Sequence, residues 1–276
     1  AGRLADPGIA CELLLCDDVE RARDIAARLS ALNAERQEMT DAAINTVAPD
    51  IERQMAEGRF SLVVGGDNIP QGVVGLAACR LVETYSRPAL FFTCNNGYCR
   101  GSGRSIPALH LLEALNDCAD LLEKFGGHRQ ACGFSMASTN VAALAERFDQ
   151  ACRMRLVEDD LVHMLHIDGF VPIERVDRQM YDAILGLAPF GQNFAEPVYA
   201  AYNVLLRESR VVGQNHWRIV AQTKNGTIAG VGFDIGELAS RFCPGATVDL
   251  AFRPALNFWQ EQERVELRII DAADRA

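Results

Sequence analysis

Lys124-Phe125-Gly126-Gly127-His128-Arg129-Gln130-Ala131-Cys132-Gly133-Phe134-Ser135-Met136 is the stretch on which the reading of this chain turns. It places three glycines within eight residues, a histidine beside an arginine, and then an apolar run. A helix-like segment, Leu111 to Phe125, leads into it, and Gly126 or Gly127 can supply the left-handed residue that ends such a helix. Ala131 to Met136 reads as a short buried strand. His128 and Arg129 then fall on a tight turn between helix and strand, with backbone N–H groups at hand, a place that can hold an anion. The other reading of the same residues is a plain helix stop with a polar turn, and the stretch alone does not choose between them.

Working upstream, Gly101-Ser102-Gly103-Arg104-Ser105 sets two hydroxyls and a guanidinium within a few residues, between glycines that would let backbone approach a ligand. That set suits a phosphate, which Arg can bind bidentately. The alternative is a Gly/Ser turn with a solvated Arg. It is not a P-loop, because the Lys-Ser/Thr end is missing. Before it, Phe60–Val64 reads as a buried strand, Gly65–Asp67 as a turn, Gly72–Tyr85 as an amphipathic helix and Pro88–Thr93 as a second buried strand. Strand, helix and strand in so short a span predict a βαβ crossover with parallel strands. Downstream, Ser138-Thr139-Asn140 can cap a helix over Val141–Arg155. These pieces make an α/β domain over residues 59–156.

The N-terminal residues 1–58 carry a long helical pattern from Val19 onward, with Asp17 and Glu20 arranged like a capping box and Pro49 expected to break or kink it. Residues 157–189 read as a bridge, with an apolar strand-like piece at Leu161–Phe170 and a short helix at Asp177–Leu187. From residue 190 to 276 the texture changes. Val198–Arg207, Val211–Gly213, Trp217–Gln222, Thr227–Phe233, Thr247–Arg253 and Arg264–Ile270 read as strands, Asn225-Gly226 as a hairpin turn and Glu237–Phe242 as a brief helix. Short strands in this pattern predict a small β-barrel.

The formal net charge of −10 argues against a general nucleic-acid-binding surface. Residues 60–136, however, hold six basic and six acidic side chains, so a local basic groove is compatible with the total. No run of eighteen apolar residues is present, and no membrane span is expected. No secretory signal is visible. The chain opens on Ala1 rather than Met, which we read as processing or as a piece of something longer. Nine cysteines, none in a C-x-x-C pair and none with histidine at zinc spacing, read as reduced core residues of a cytoplasmic protein.

Gly101-Ser102-Gly103-Arg104-Ser105-Ile106 followed by Gly126-Gly127-His128-Arg129-Gln130-Ala131-Cys132-Gly133-Phe134 resembles the paired motifs of the DHHA1 domain of DHH-family phosphoesterases, whose usual forms are G-S-x-R-S and G-G-H-x-x-A-x-G-F. Gln71–Leu81 and Arg87-Pro88 fit the same family. The branch it is most similar to is RecJ, the single-stranded-DNA-specific exonucleases. Ala1-Gly2-Arg3-Leu4 resembles the end of that family's catalytic domain. Pro189-Phe190-Gly191-Gln192-Asn193 with Glu196-Pro197-Val198 resembles the start of its OB domain. Asn257-Phe258-Trp259 with Leu267-Arg268-Ile269 and Asp271 resembles the end of it.

The resemblance implies an α/β DHHA1-like domain plus an OB-like β-barrel, preceded by a connecting helix. Ser102, Arg104 and Ser105, with Gly126, Gly127 and Arg129, would hold DNA phosphates, and His128 would face the scissile phosphate. The family cleaves phosphodiesters with divalent metals, Mn or Mg, held by a DHH domain. No Asp-His-His occurs in this sequence, so we expect no metal ligands in this chain and no activity from it alone. Two departures stand out: Ile69-Pro70 occupy a position where the family often has Trp-His, and Glu261 one where glycine is common. In the barrel, His216, Trp217, Arg218 and Lys224 are candidate DNA contacts, with Tyr199, Tyr202, Phe258, Trp259 and Arg253 beside them. The expected partner is single-stranded DNA, with a single-strand-binding protein as a further candidate. Two alternatives stay open: a DHH phosphoesterase for short oligonucleotides or cyclic dinucleotides, and a non-catalytic binding or scaffolding module.

Overall fold

The computed structural model describes residues 2–191, 193–259 and 262–274. Ala1, Gln192 and Glu261, named above, lie outside these residues, as does the side chain of Trp259. The chain divides into two compact units, residues 1–163 and 164–276. The long helix and the α/β domain therefore belong to one body, and the division falls within the stretch read above as a bridge.

The first unit opens with α1 (Gly8–Leu14) and α2 (Val19–Ala56). Asp18, not Asp17, caps α2: its carboxylate accepts from the Glu20 and Arg21 N–H groups. Pro49 lies inside α2 without ending it. Val47 and Ile51, on either side, are 2% and 1% exposed, so burial holds the helix together across the lost hydrogen bond.

After α2 come β1 (Leu62–Asp67), α3 (Val74–Tyr85), β2 (Ala89–Asn95), β3 (Tyr98–Arg104), α4 (Leu111–Asn116), β4 (Lys124–Gly127), β5 (Ala131–Ala137) and α5 (Val141–Arg153). The sheet order is β1-β2-β3-β5-β4. β1 and β2 are parallel across α3, the crossover read from sequence, and all other pairs are antiparallel. α2 and α3 cover one face over Leu62, Val64, Ala89 and Phe91. α4 and α5 cover the other over Val63, Leu90, Phe92, Cys132 and Phe134.

Four local readings change. Leu111–Phe125 is not one helix: α4 ends at Asn116, and the chain turns extended because the Glu123 N–H bonds the Ser135 carbonyl and starts β4 against β5. Lys124–Gly127 is thus a strand, and His128–Gln130 is the loop of a hairpin. Gly65–Asp67 continues β1. The Gly-Ser-Gly-Arg stretch is strand β3, and its glycines serve packing rather than ligand approach. A Cβ on Gly103 would lie 2.5 Å from Cys132 Sγ, and one on Gly101 would overlap the Phe134 ring. Cys94 and Cys99 are not reduced: they face each other across β2 and β3 and form a disulfide.

The second unit holds β6 (Gly169–Phe170), α6 (Arg178–Leu185), β7 (Tyr199–Val212), β8 (His216–Thr223), β9 (Gly226–Gly232), α7 (Leu238–Arg241), β10 (Thr247–Trp259) and β11 (Gln262–Asp274). The order β10-β11-β9-β8-β7, closed by β10 against β7, is a five-stranded barrel with β6 added alongside β7. The two pieces read as Val198–Arg207 and Val211–Gly213 are one strand, and only Gly169–Phe170 of the piece read as Leu161–Phe170 is strand. Trp217, Phe242, Phe252, Leu250 and Ile219 fill the barrel.

Candidate nucleic-acid interface

A strand sends alternate side chains to opposite faces. In β3 this sends Cys99, Gly101 and Gly103 into the core and leaves Tyr98, Arg100, Ser102 and Arg104 on the α3 side. Arg104 Nη1 donates to Ser102 Oγ at 2.7 Å, and Ser102 Oγ donates to the Cys132 carbonyl at 3.1 Å. Both side chains reach Gly75, in the first turn of α3. A Cβ there would lie 3.1 Å from Arg104 Nη2, 3.4 Å from Ser102 Oγ and 3.7 Å from Arg3 Nη1. Two guanidiniums therefore converge on one helix start, and neither forms an ion pair with a carboxylate among the described residues. Cations gathered without counter-charge at the positive end of a helix make a place for an anion. Gly72 lets the N-terminal segment in, since a Cβ on it would stand 2.6 Å from the Arg3 carbonyl oxygen.

Beside Ser102 the sheet floor is bare. Ser102 pairs with Gly133, and Gly133 with Gly126. Both glycines are exposed, and a Cβ on Gly126 would meet nothing within 4 Å. Gly127 differs: a Cβ there would stand 2.6 Å from Cys132 Cα, so it is glycine for the hairpin's sake. The hairpin loop is stitched to the segment after β3. His128 N–H bonds the Ala131 carbonyl, Ser105 N–H the Gln130 carbonyl and Leu111 N–H the Arg129 carbonyl. Ala131 in turn pairs with Arg104. The exposed His128 is thereby held on the loop next to the Arg104 end of β3.

Two of the expected phosphate ligands are engaged elsewhere. Ser105 is 8% exposed and its hydroxyl donates to the Leu109 carbonyl, so it secures the turn before α4. Arg129 Nη2 donates to the Pro107 carbonyl at 3.0 Å. Sequence reading also passed over Arg3, quoted only for its family resemblance, and over Arg100 and Lys124. The signal was present in Arg100-x-Ser102-x-Arg104, which puts all three on one face once the stretch is taken as a strand.

The barrel candidates separate as sharply. Trp217 is fully buried and its Nε1–H donates to Ser209 Oγ, so it is core and not a stacking platform. His216 Nδ1 accepts from the Asp234 N–H, and Arg218 lies 3.6 Å from a Glu266 carboxylate oxygen. Lys224 is exposed in the β8–β9 turn, Phe258 is exposed on β10, and Tyr202 stacks on Phe170 with centroids 4.9 Å apart. Among the described residues no group of three or more His, Cys, Asp or Glu could hold a metal ion, and no helix is long and apolar enough to cross a membrane.

The sheet, its hairpin and the barrel set the class. Residues 58–154 match the family model of the DHHA1 domain and residues 167–271 that of the RecJ OB domain. The chain is 29% identical to the single-stranded-DNA-specific exonuclease RecJ of Bacillus subtilis, over 99% of this chain and 35% of that one. It is 32% identical to RecJ of Dickeya dadantii, over 98% of this chain and 48% of that one. It superposes along its whole length on crystal structures of Thermus thermophilus RecJ in complex with Mn2+ and with Mg2+, at TM-score 0.78 and 25% identity, covering 40% and 42% of those chains. The chain belongs to the RecJ family, and it spans less than half the length of these relatives.

Proposed function

We propose that this chain is the substrate-binding C-terminal part of a single-stranded-DNA-specific exonuclease, and that its first unit holds the DNA backbone for cleavage by metal ions bound outside this chain. The observation that carries the proposal is the meeting of Arg104, Ser102 and Arg3 at Gly75, with neither guanidinium paired to a carboxylate among the described residues. A guanidinium forked against a phosphate gives a strong, orienting contact, and the bare Gly133–Gly126 floor lets a backbone lie close to the sheet. Curated relatives are named single-stranded-DNA-specific exonucleases, and solved relatives hold Mn2+ or Mg2+. The described residues offer no ligand set for such an ion, so no hydrolytic step is assigned to them. Their work is to bind and orient, with His128 facing the scissile phosphate. Within the barrel, considered by itself, Lys224 and Phe258 are the exposed side chains that could touch DNA. A cytoplasmic place of action is part of the same proposal. Nothing on the described surface singles out a single-strand-binding protein, and the proposal is confined to DNA.

The test is fluorescence anisotropy with a labelled single-stranded oligonucleotide at several salt concentrations. Arg104→Ala should weaken binding by about 1–3 kcal/mol and reduce the salt slope by about 0.7, as for one lost phosphate contact. With Mn2+ or Mg2+ added, the chain alone should leave the oligonucleotide intact on a gel. Unchanged affinity and slope in Arg104→Ala would sink the phosphate site, and metal-dependent shortening free of contaminating nuclease would sink the division of labour.

A further inference from the structure

Ser135 lies in the middle of β5, 7% exposed, and its hydroxyl has no hydrogen-bond partner among the described residues. Leaving a buried hydroxyl unpaired is costly, so the atom is either a tolerated defect or a ligand position. The strand register favours the second. Arg100 on β3 and Lys124 on β4 are its direct neighbours on the two sides, and all three side chains leave the sheet on the same face. Both cations are exposed, and neither is ion-paired among the described residues. The only described partner of the Arg100 guanidinium is the Tyr98 ring, 5.6 Å away.

These three residues line a cavity of about 330 Å³ together with Gln71 and Gly133. Their row lies one strand repeat from the Ser102 row, so it continues the same basic face rather than opening a new one. Gln71 and Arg100 also line a second cavity of about 500 Å³, walled by Asn68, Asn95, Asn96 and Tyr98. Among the described residues no carboxylate lines either cavity, in a chain whose net charge is −10. Amide side chains offer a donor and an acceptor together, the complement of a nucleobase edge, and a tyrosine ring offers a stacking surface.

We propose that the chain holds a second nucleotide subsite, in which Arg100, Lys124 and Ser135 bind a phosphate and the adjoining amide-lined cavity receives a nucleobase beside Tyr98. This rests on the single-stranded-DNA reading above and adds to it residues that read the base. The Ser102–Arg104 row touches only backbone and is indifferent to sequence. The Gln71 cavity makes affinity depend on which base is present.

The 276-residue chain is titrated into labelled oligodeoxynucleotide homopolymers of different bases, with Ser135→Ala, Arg100→Gln, Gln71→Ala and Arg104→Ala in parallel. Ser135→Ala removes an unpaired buried hydroxyl, so its melting temperature should be unchanged or higher while oligonucleotide affinity falls severalfold. A merely structural serine would not give that pair of results. Arg100→Gln should weaken all homopolymers about tenfold or more, and Gln71→Ala should narrow the affinity differences between bases. If Arg104→Ala weakens binding while Ser135→Ala and Arg100→Gln bind like the parent, this inference is wrong and the DNA reading stands. If the parent shows no base preference, or Gln71→Ala leaves it unchanged, the nucleobase half is wrong. If no homopolymer binds at all, the DNA reading falls and this subsite with it.

Discussion

The ring of Phe134 on β5 fills the volume that a side chain at Gly101 on β3 would need. The two residues are cross-strand partners facing the α4–α5 core, and neither can change size without the other. Gly101→Ala should therefore strain the sheet and cost about 1–3 kcal/mol, read as a lower midpoint in urea unfolding. An unchanged midpoint would mean that the strands separate freely, contrary to the close pairing described.

Arg3 and Arg104 approach the same helix start, and their contributions to DNA binding should not be independent. Arg3→Ala is expected to weaken oligonucleotide binding and reduce the salt slope by about 0.7. The double variant should lose less or more than the sum of the single losses, because side chains sharing one partner couple. Additive losses in the double-mutant cycle would place the two cations on separate phosphates.

Asp149 on α5 is 5% exposed and accepts from the Phe60 and Ser61 N–H groups and from Arg153 Nε. It ties the last helix of the domain to the entry of β1. Asp149→Ala would leave two backbone donors unpaired and should cost about 2–4 kcal/mol in denaturant unfolding. The oligonucleotide affinity of the protein that remains folded should be unaltered.

The thiols should divide by burial. Burial pushes Cys118 and Cys132 up to about 11, and Cys152 higher still. The thiolate is the reactive form, so at about pH 8 these three should resist alkylation until the protein unfolds, and their reactivity should rise only as pH approaches the raised values. Exposed Cys11 and Cys243 should react at once. Cys94 and Cys99 should appear only after a reductant is added. Mass mapping of the labelled peptides checks this, and rapid labelling of Cys132 in the folded protein would contradict it.

Trp217 gives the barrel its largest buried side chain. Trp217→Ala should destabilise the second unit by about 3–5 kcal/mol, seen as loss of β-structure by circular dichroism at lower denaturant.

Much of the architecture was legible from local pattern. Phe60–Val64 and Pro88–Thr93 read as buried strands around an amphipathic helix, and the strands form within two residues of those starts; Asn225-Gly226 marked a hairpin that is present. The errors arose where a distant partner decides. Glycines at 101 and 103 were read as punctuation because their reason lies far along the chain, in Phe134 and Cys132. Lys124 and Phe125 looked helical until the edge of β5 offered hydrogen bonds. Pro49 is tolerated because Val47 and Ile51 are anchored beneath it. At the candidate site, Ser102 and Arg104 were singled out through their motif. Ser105, next in the same motif, could not be told from them without the alternation that turns its hydroxyl to Leu109. Arg3 could not be placed at all, since nothing near it in sequence shows that it meets α3.

Strand β3 thus serves two masters by parity, which has a genetic consequence. In a substitution scan across residues 98–104, changes at 99, 101 and 103 should reduce the amount of folded protein and be rescued by low temperature or stabilising second-site changes. Changes at 100, 102 and 104 should leave protein levels alone and resist such rescue. The two classes of allele would alternate residue by residue along the segment.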